Sequence, residues 1–125
     1  MPHPSEHHPP ARPLDGRDAA EIADTMRALG TPGRLQLLFA LLAGESTVEE
    51  LAATAGLAQS ATSHHLRLLR SLRMVSVRRE RRHAYYSLHD HHIADLLAAV
   101  RHHQEHVHPP APVEVPARTR TAGKR

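Results

Sequence analysis

Between Thr47 and Leu72 the chain carries two helical patterns separated by only three residues, Gly56-Leu57-Ala58. A turn that short between helices makes a helix-turn-helix, and the remaining elements must pack around it. Thr47-Val48-Glu49-Glu50 opens the first of the pair as a capping box, where hydroxyl and carboxylate each satisfy a free backbone N–H, and Gly56 ends it. The second runs from Gln59 or Ser60 to Leu72 and turns Leu66, Leu69 and Leu72 to one side.

The flanking segments complete a winged arrangement. A helix from about Asp18 to Leu29 places Ile22, Met26 and Leu29 on one face, and Gly30 stops it. Thr31-Pro32 then caps a helix whose Leu35, Leu38, Phe39 and Leu42 fall at i, i+3, i+4 and i+7, closed by Gly44. Downstream, Val75–Arg78 and Ala84–Leu88 alternate with period two, and the charged loop Arg79–His83 joins them as a hairpin, the wing. A last helix starts at Asp90 and carries Ile93, Leu96, Leu97 and Val100. The expected fold is mainly α with a small β-hairpin, a winged helix-turn-helix that dimerises through its terminal helices.

At 125 residues there is room for one core, and Phe39, Tyr85 and Tyr86 are its only aromatic residues, so Leu, Ala and Val must fill it. Residues 17–108 are the expected domain. The Pro-rich segment 1–16 and the basic segment 109–125 are expected to be disordered arms. With no cysteine, disulfides, thiolate metal sites and thiol redox sensing are excluded. No apolar run approaches the roughly 18 residues of a membrane span, and no secretory h-region is present, so no membrane partner and a cytoplasmic location are expected.

The second helix of the pair has a polar side. Ser60, Ser63, His64, Arg67 and Ser71 lie at offsets 0, 3, 4, 7 and 11, opposite the leucines. Hydroxyls near its N-terminus suit phosphates or base edges, and Arg67 suits phosphate or guanine. Residues 59–89 hold seven arginines against the single acid Glu80, whereas residues 18–58 hold two arginines against six acids. Positive charge is thus concentrated where a duplex would lie. The expected partner is double-stranded DNA, read by Gln59, Ser60, Ser63, His64, His65 and Arg67, with Arg79, Arg81 and Arg82 on the wing.

The stretch Gln59-Ser60-Ala61-Thr62-Ser63-His64-His65-Leu66-Arg67-Leu68-Leu69, with Leu72-Arg73-Met74-Val75 and Arg82-His83-Ala84-Tyr85-Tyr86, resembles the ArsR/SmtB family of metal-sensing repressors over residues 18–108. The resemblance implies a homodimer that holds an operator without effector and leaves it on binding metal. It also implies Gly in the wing turn where this chain has Arg81, so Arg81 is strained if that turn needs φ > 0.

Thirteen histidines are far above background for this length, and position decides which matter. His103 and His106, at i and i+3, can face one ion, and Asp90 at the last helix's N-cap lies beside His92. Eleven residues separate His92 from His103, which puts them on one face but about 16 Å apart. One helix therefore cannot close the site. An antiparallel copy paired along Ile93, Leu96, Leu97 and Val100 can, giving two equivalent sites per dimer with one carboxylate and three imidazoles each.

The resemblance matches Asp90-x-His92 and His103-x-x-His106 to the last-helix site of the family's zinc- and nickel/cobalt-sensing branches. Its cysteine site near Thr47 is absent. It also implies that nickel sensors recruit further terminal ligands, for which His108 and His3 are candidates, making nickel or cobalt the first expectation and zinc the next. A ligating His103 is implied to reach the backbone near Arg73. Two rival readings stay open, a winged-helix regulator without metal input and a His-rich metal-storage protein. No nucleophile–base pair marks an enzyme, and no small organic substrate is expected.

Overall fold

The computed structural model describes residues 12–111. The elements are α1 (Gly16–Leu29), α2 (Pro32–Leu41), α3 (Val48–Ala55), α4 (Gln59–Ser71), β1 (Val75–Glu80), β2 (His83–Leu88) and α5 (His91–Val107). This is the winged helix-turn-helix order. The first helix starts earlier than its apolar spacing indicates, because Asp15 accepts a hydrogen bond from the Asp18 N–H and caps it. The capping box at Thr47 and Glu50 forms with both reciprocal bonds, and Gly56 supplies the left-handed residue that ends α3 at φ 69°.

Leu37, Leu38, Leu41, Leu51, Leu66, Leu69, Met74, Val75, Tyr86 and Leu97 make one buried cluster shared by α2, α3, α4, the hairpin and α5. Tyr86 ties the hairpin to the body twice. Its ring is buried, and its backbone exchanges N–H···O bonds with Ser46 at 2.8 and 3.0 Å. Thr62, the buried polar side chain of α4, donates its hydroxyl to the Ala58 carbonyl and so carries no orphan group inward.

Two apolar stripes differ from the sequence expectation. On α2 the core takes Leu37, Leu38 and Leu41, while Leu35 and Phe39 are half-buried and Leu42 is exposed. On α5, Leu97 is buried and Ile93 packs against the same cluster, whereas Leu96 and Val100 remain 39% and 53% exposed. Leu97 therefore belongs to the chain's own core, and half-buried Ile93 leans on it, so less of the expected stripe is left facing outward. The outward apolar face is Leu96 and Val100 together with Ile22 and Met26 of α1, themselves 45% and 63% exposed. These side chains border an apolar groove of about 410 Å³ floored by Leu29 and Phe39.

The hairpin is also longer than its hydrophobic alternation. The antiparallel register runs from Val75 opposite Leu88 to Glu80 opposite His83, so the connection is the two-residue turn Arg81-Arg82, not a five-residue loop. Backbone pairing continues through Arg79 and Glu80 because the ladder does not depend on side-chain polarity.

Candidate nucleic-acid interface and metal half-sites

The α4 segment presents Gln59, Ser60, His64 and Arg67 exposed, with Ser63 half-buried beside them. Ser71, at the far end of the same stripe, gives its hydroxyl to the Leu68 carbonyl at 2.7 Å. His65 sits differently from its neighbours. At five residues from Ser60 it points roughly 140° away from the stripe, and its ring packs against the start of α2. There Arg34 donates from Nε to His65 Nδ1 at 3.3 Å, and from Nη1 to the Ala28 carbonyl at 3.0 Å. Burial, then Arg34 and His64, hold the His65 pKa below its ordinary value, the same direction that a ring nitrogen accepting from Arg34 requires. No local pattern marks this joint, since its partners lie 31 positions apart.

On the wing, Arg78 is already engaged. It bonds Glu45 through Nε and Nη2 at 3.1 and 3.0 Å and Glu80 through Nη1 at 3.1 Å, and its guanidinium lies 4.7 Å from the Tyr85 ring centre. The Arg78 hydrogen bond lowers the Glu45 pKa, and that hydrogen bond in turn raises the pKa of Arg78. This clamp fixes the hairpin to the segment before α3. Arg79, Arg81 and Arg82 are exposed and form no salt bridge among the described residues.

Arg81 has φ 57°, the left-handed region that favours glycine. The strain expected of a non-glycine residue in that turn is therefore present. Replacing it with glycine relieves that strain but adds unfolded-state entropy, so unfolding free energy is expected to rise by up to about 1 kcal/mol in a urea titration. The same variant loses a wing charge, so a duplex contact there would appear as a shallower salt dependence of binding.

The α5 donors fall into two groups. At its start Asp90 caps the helix, its Oδ1 accepting from the His92 and Ile93 N–H groups at 3.0 and 3.3 Å. The carboxylate is thus fixed rather than free to bend, and Oδ1 lies 3.6 Å from His92 Nδ1. The other oxygen takes part in none of these contacts. Backbone bonds from Ile93 and His92, with the His92 ring, more than offset desolvation and lower the Asp90 pKa. His103, His106 and His108 lie exposed at the other end of the helix. Among the described residues no three such donors meet within one chain.

The donor chemistry nevertheless fits a divalent transition metal when the two ends are combined, because exposed imidazoles and an ionised carboxylate suit zinc, cobalt or nickel. The bond from His103 to the backbone near Arg73 is implied for a metal-ligating His103 and does not form among the described residues of the metal-free chain. His3 lies outside the described residues.

A helix-turn-helix with an exposed polar stripe and an arginine-tipped hairpin defines a winged-helix DNA-binding protein. The family described as "Bacterial regulatory protein, arsR family" matches residues 31–77. The HTH-type transcriptional regulator NmtR of Mycobacterium tuberculosis is 46% identical over 99 residues, which is 79% of this chain and 82% of that one. The chain belongs to the ArsR family of bacterial regulatory proteins.

A cadmium resistance transcriptional regulatory protein, a CadC homolog of Staphylococcus aureus, is 33% identical over 75% of this chain and 78% of its own. The solution structure of apo-NmtR superposes with a TM-score of 0.67 at 42% identity, covering 90% of this chain and 94% of that one. A homodimeric winged helix-turn-helix DNA-binding domain from Mycobacterium bovis does so with a TM-score of 0.67 at 30% identity, over 83% of this chain and all of that chain. No helix of the described residues is long and apolar enough to cross a membrane.

Proposed function

We propose that this chain is a cytoplasmic, metal-responsive transcriptional repressor that holds operator DNA as a homodimer and releases it on binding nickel, cobalt or zinc, with nickel or cobalt favoured. The observation that carries the reading is the pair of half-sites at opposite ends of α5, with the exposed face of Leu96 and Val100 between them. Neither end suffices alone. An antiparallel copy brings Asp90 and His92 of one protomer toward the partner's His103 and His106, and the two-fold axis makes two such sites. The M. bovis neighbour is described as a homodimer, and the CadC homolog as a cadmium-resistance regulator, which supports both halves of the reading.

In the metal-free dimer, Ser60, Ser63, His64 and Arg67 of each protomer enter the major groove, Gln59 lies at the helix start, and Arg79, Arg81 and Arg82 meet phosphates. His65 supports α4 from behind through Arg34. A bound metal supplies a cross-link between the two dimer halves. Asp90 holds one ligand oxygen in place by spending the other on the α5 cap, and the Arg78–Glu45 clamp keeps the wing moving with the body. Any rotation of α5 about the interface then alters the spacing of the two α4 helices relative to one turn of DNA.

A cobalt titration followed by visible absorption, on the full chain and on a chain lacking residues 1–8, tests the donor set. Saturation at two ions per dimer is expected. Bands that are weak in the full chain and intensify on truncation indicate six-coordination with His3 as a ligand, and strong bands in both indicate four-coordination. Absence of saturable binding would remove the metal from the account and leave a regulator without metal input.

A further inference from the structure

A second cavity, about 290 Å³, opens beside the C-terminal end of α4, lined by Arg70, Arg73, Val75, Ser76, Val77 and His89. Every charged side chain in that lining is basic. Arg70 and Arg73 are exposed and form no salt bridge among the described residues, in contrast to Arg78, one residue past Val77 on β1. Ser76 Oγ lies 3.1 Å from His89 Nδ1. If Nδ1 accepts, the ring's Nε2–H is left to donate, and if Nδ1 donates, the serine hydroxyl is left to donate. In either tautomer the pair offers one hydrogen to a ligand beyond itself.

Arg73 adds an independent sign. It has φ 59° and occupies the left-handed position that ends α4, with its N–H bonded to the Arg70 carbonyl and the Met74 N–H to the Leu69 carbonyl. Glycine is the usual residue there, because a Cβ in the left-handed region crowds the backbone. The negative end of the helix dipole accounts for an arginine in the last turn, a place Arg70 already fills without strain. It does not account for a second arginine held in the strained position over an acid-free cavity. Backbone strain of this kind clusters at ligand-binding sites.

We propose that this cavity is an oxyanion site that takes a phosphate group, held by the Arg70 and Arg73 guanidiniums and one donor of the Ser76–His89 pair. It lies at the base of the hairpin, about 16 Å along the strand from the Arg81 turn, and is therefore distinct from the wing tip. The phosphate can be free inorganic phosphate or a phosphate of a DNA backbone, since guanidinium recognition is the same for both.

Two arms separate these sources. In the first, inorganic phosphate is titrated into the full-length protein at constant ionic strength against chloride, following the Val75, Ser76 and Val77 amide resonances. In the second, duplex binding is measured across a salt series. Both use wild type, Arg70→Ala and Arg73→Gly. The last removes the guanidinium while relieving the backbone, so its melting temperature should be unchanged or higher.

Saturable phosphate shifts in wild type, weakened about tenfold or more in both variants, establish a free-anion site. Variants that lower the slope of log K against log salt by about one, without a free-phosphate effect, assign the site to a DNA phosphate. Wild-type shifts no larger than with chloride, together with unchanged salt slopes, overturn the proposal.

Discussion

Replacing His103 with alanine is expected to leave metal-free DNA binding intact and to abolish its sensitivity to metal. His103 is exposed and stands outside the buried cluster, so its removal should cost the metal-free fold little. The coupling it serves is of the order that metal allostery reaches, about 1–3 kcal/mol or roughly 5–150-fold in operator affinity. In the variant that ratio should fall to near one. Fluorescence anisotropy of a labelled duplex, selected from a random pool with wild-type protein, reads both quantities. If the variant loses affinity for DNA in the absence of metal, His103 acts on the DNA-bound state itself and the assignment is wrong. Because coupling is reciprocal, DNA should weaken metal binding by the same factor in wild type and not in the variant. Metal affinity should also fall as pH drops, since protons compete for the imidazoles.

The second large effect is expected at Val100. Its side chain is half exposed in the single chain, so a Val100→Glu monomer should keep its helix content and thermal midpoint. In an antiparallel α5 pair the same change buries a carboxylate from each protomer without a partner, at a cost of about 3–5 kcal/mol each. Dissociation to monomer should be visible by sedimentation. Operator affinity should drop by at least about a hundredfold, because one chain reaches only one half-site. Metal stoichiometry should fall with it, as each site draws on both protomers. A variant that stays dimeric with full affinity would place the interface elsewhere.

Much of this was legible in the sequence, and the exceptions have physical causes. The helix-turn-helix announced itself through the Thr47 capping box, Gly56 and the Leu66/Leu69 spacing, all of which act within a few residues. The α5 stripe was harder. Ile93 and Leu97 form one i,i+4 row and Leu96 and Val100 the next, about 60° apart on average, and periodicity alone does not say which row faces the chain's own core. Only tertiary packing assigns Leu97 inward and Val100 outward.

The wing's true length was hidden because charged residues at an exposed edge obey no alternation. The wing clamp was hidden too, because Glu45 and Arg78 are 33 positions apart. Left-handed Arg73 and Arg81 left different traces. Arg81 stood in a turn where glycine was expected, whereas Arg73 sat at a helix end that could have closed without one.

Metal-dependent release from DNA is what would make this dimer a sensor. The direct measurement is anisotropy of the selected duplex with saturating metal-free protein, titrated with Ni²⁺, Co²⁺ and Zn²⁺ in turn, beside dialysis for bound ion. Release of the duplex as two ions bind per dimer is the predicted result, with nickel or cobalt acting most strongly. Full occupancy by metal with the duplex still bound at unchanged affinity would contradict it.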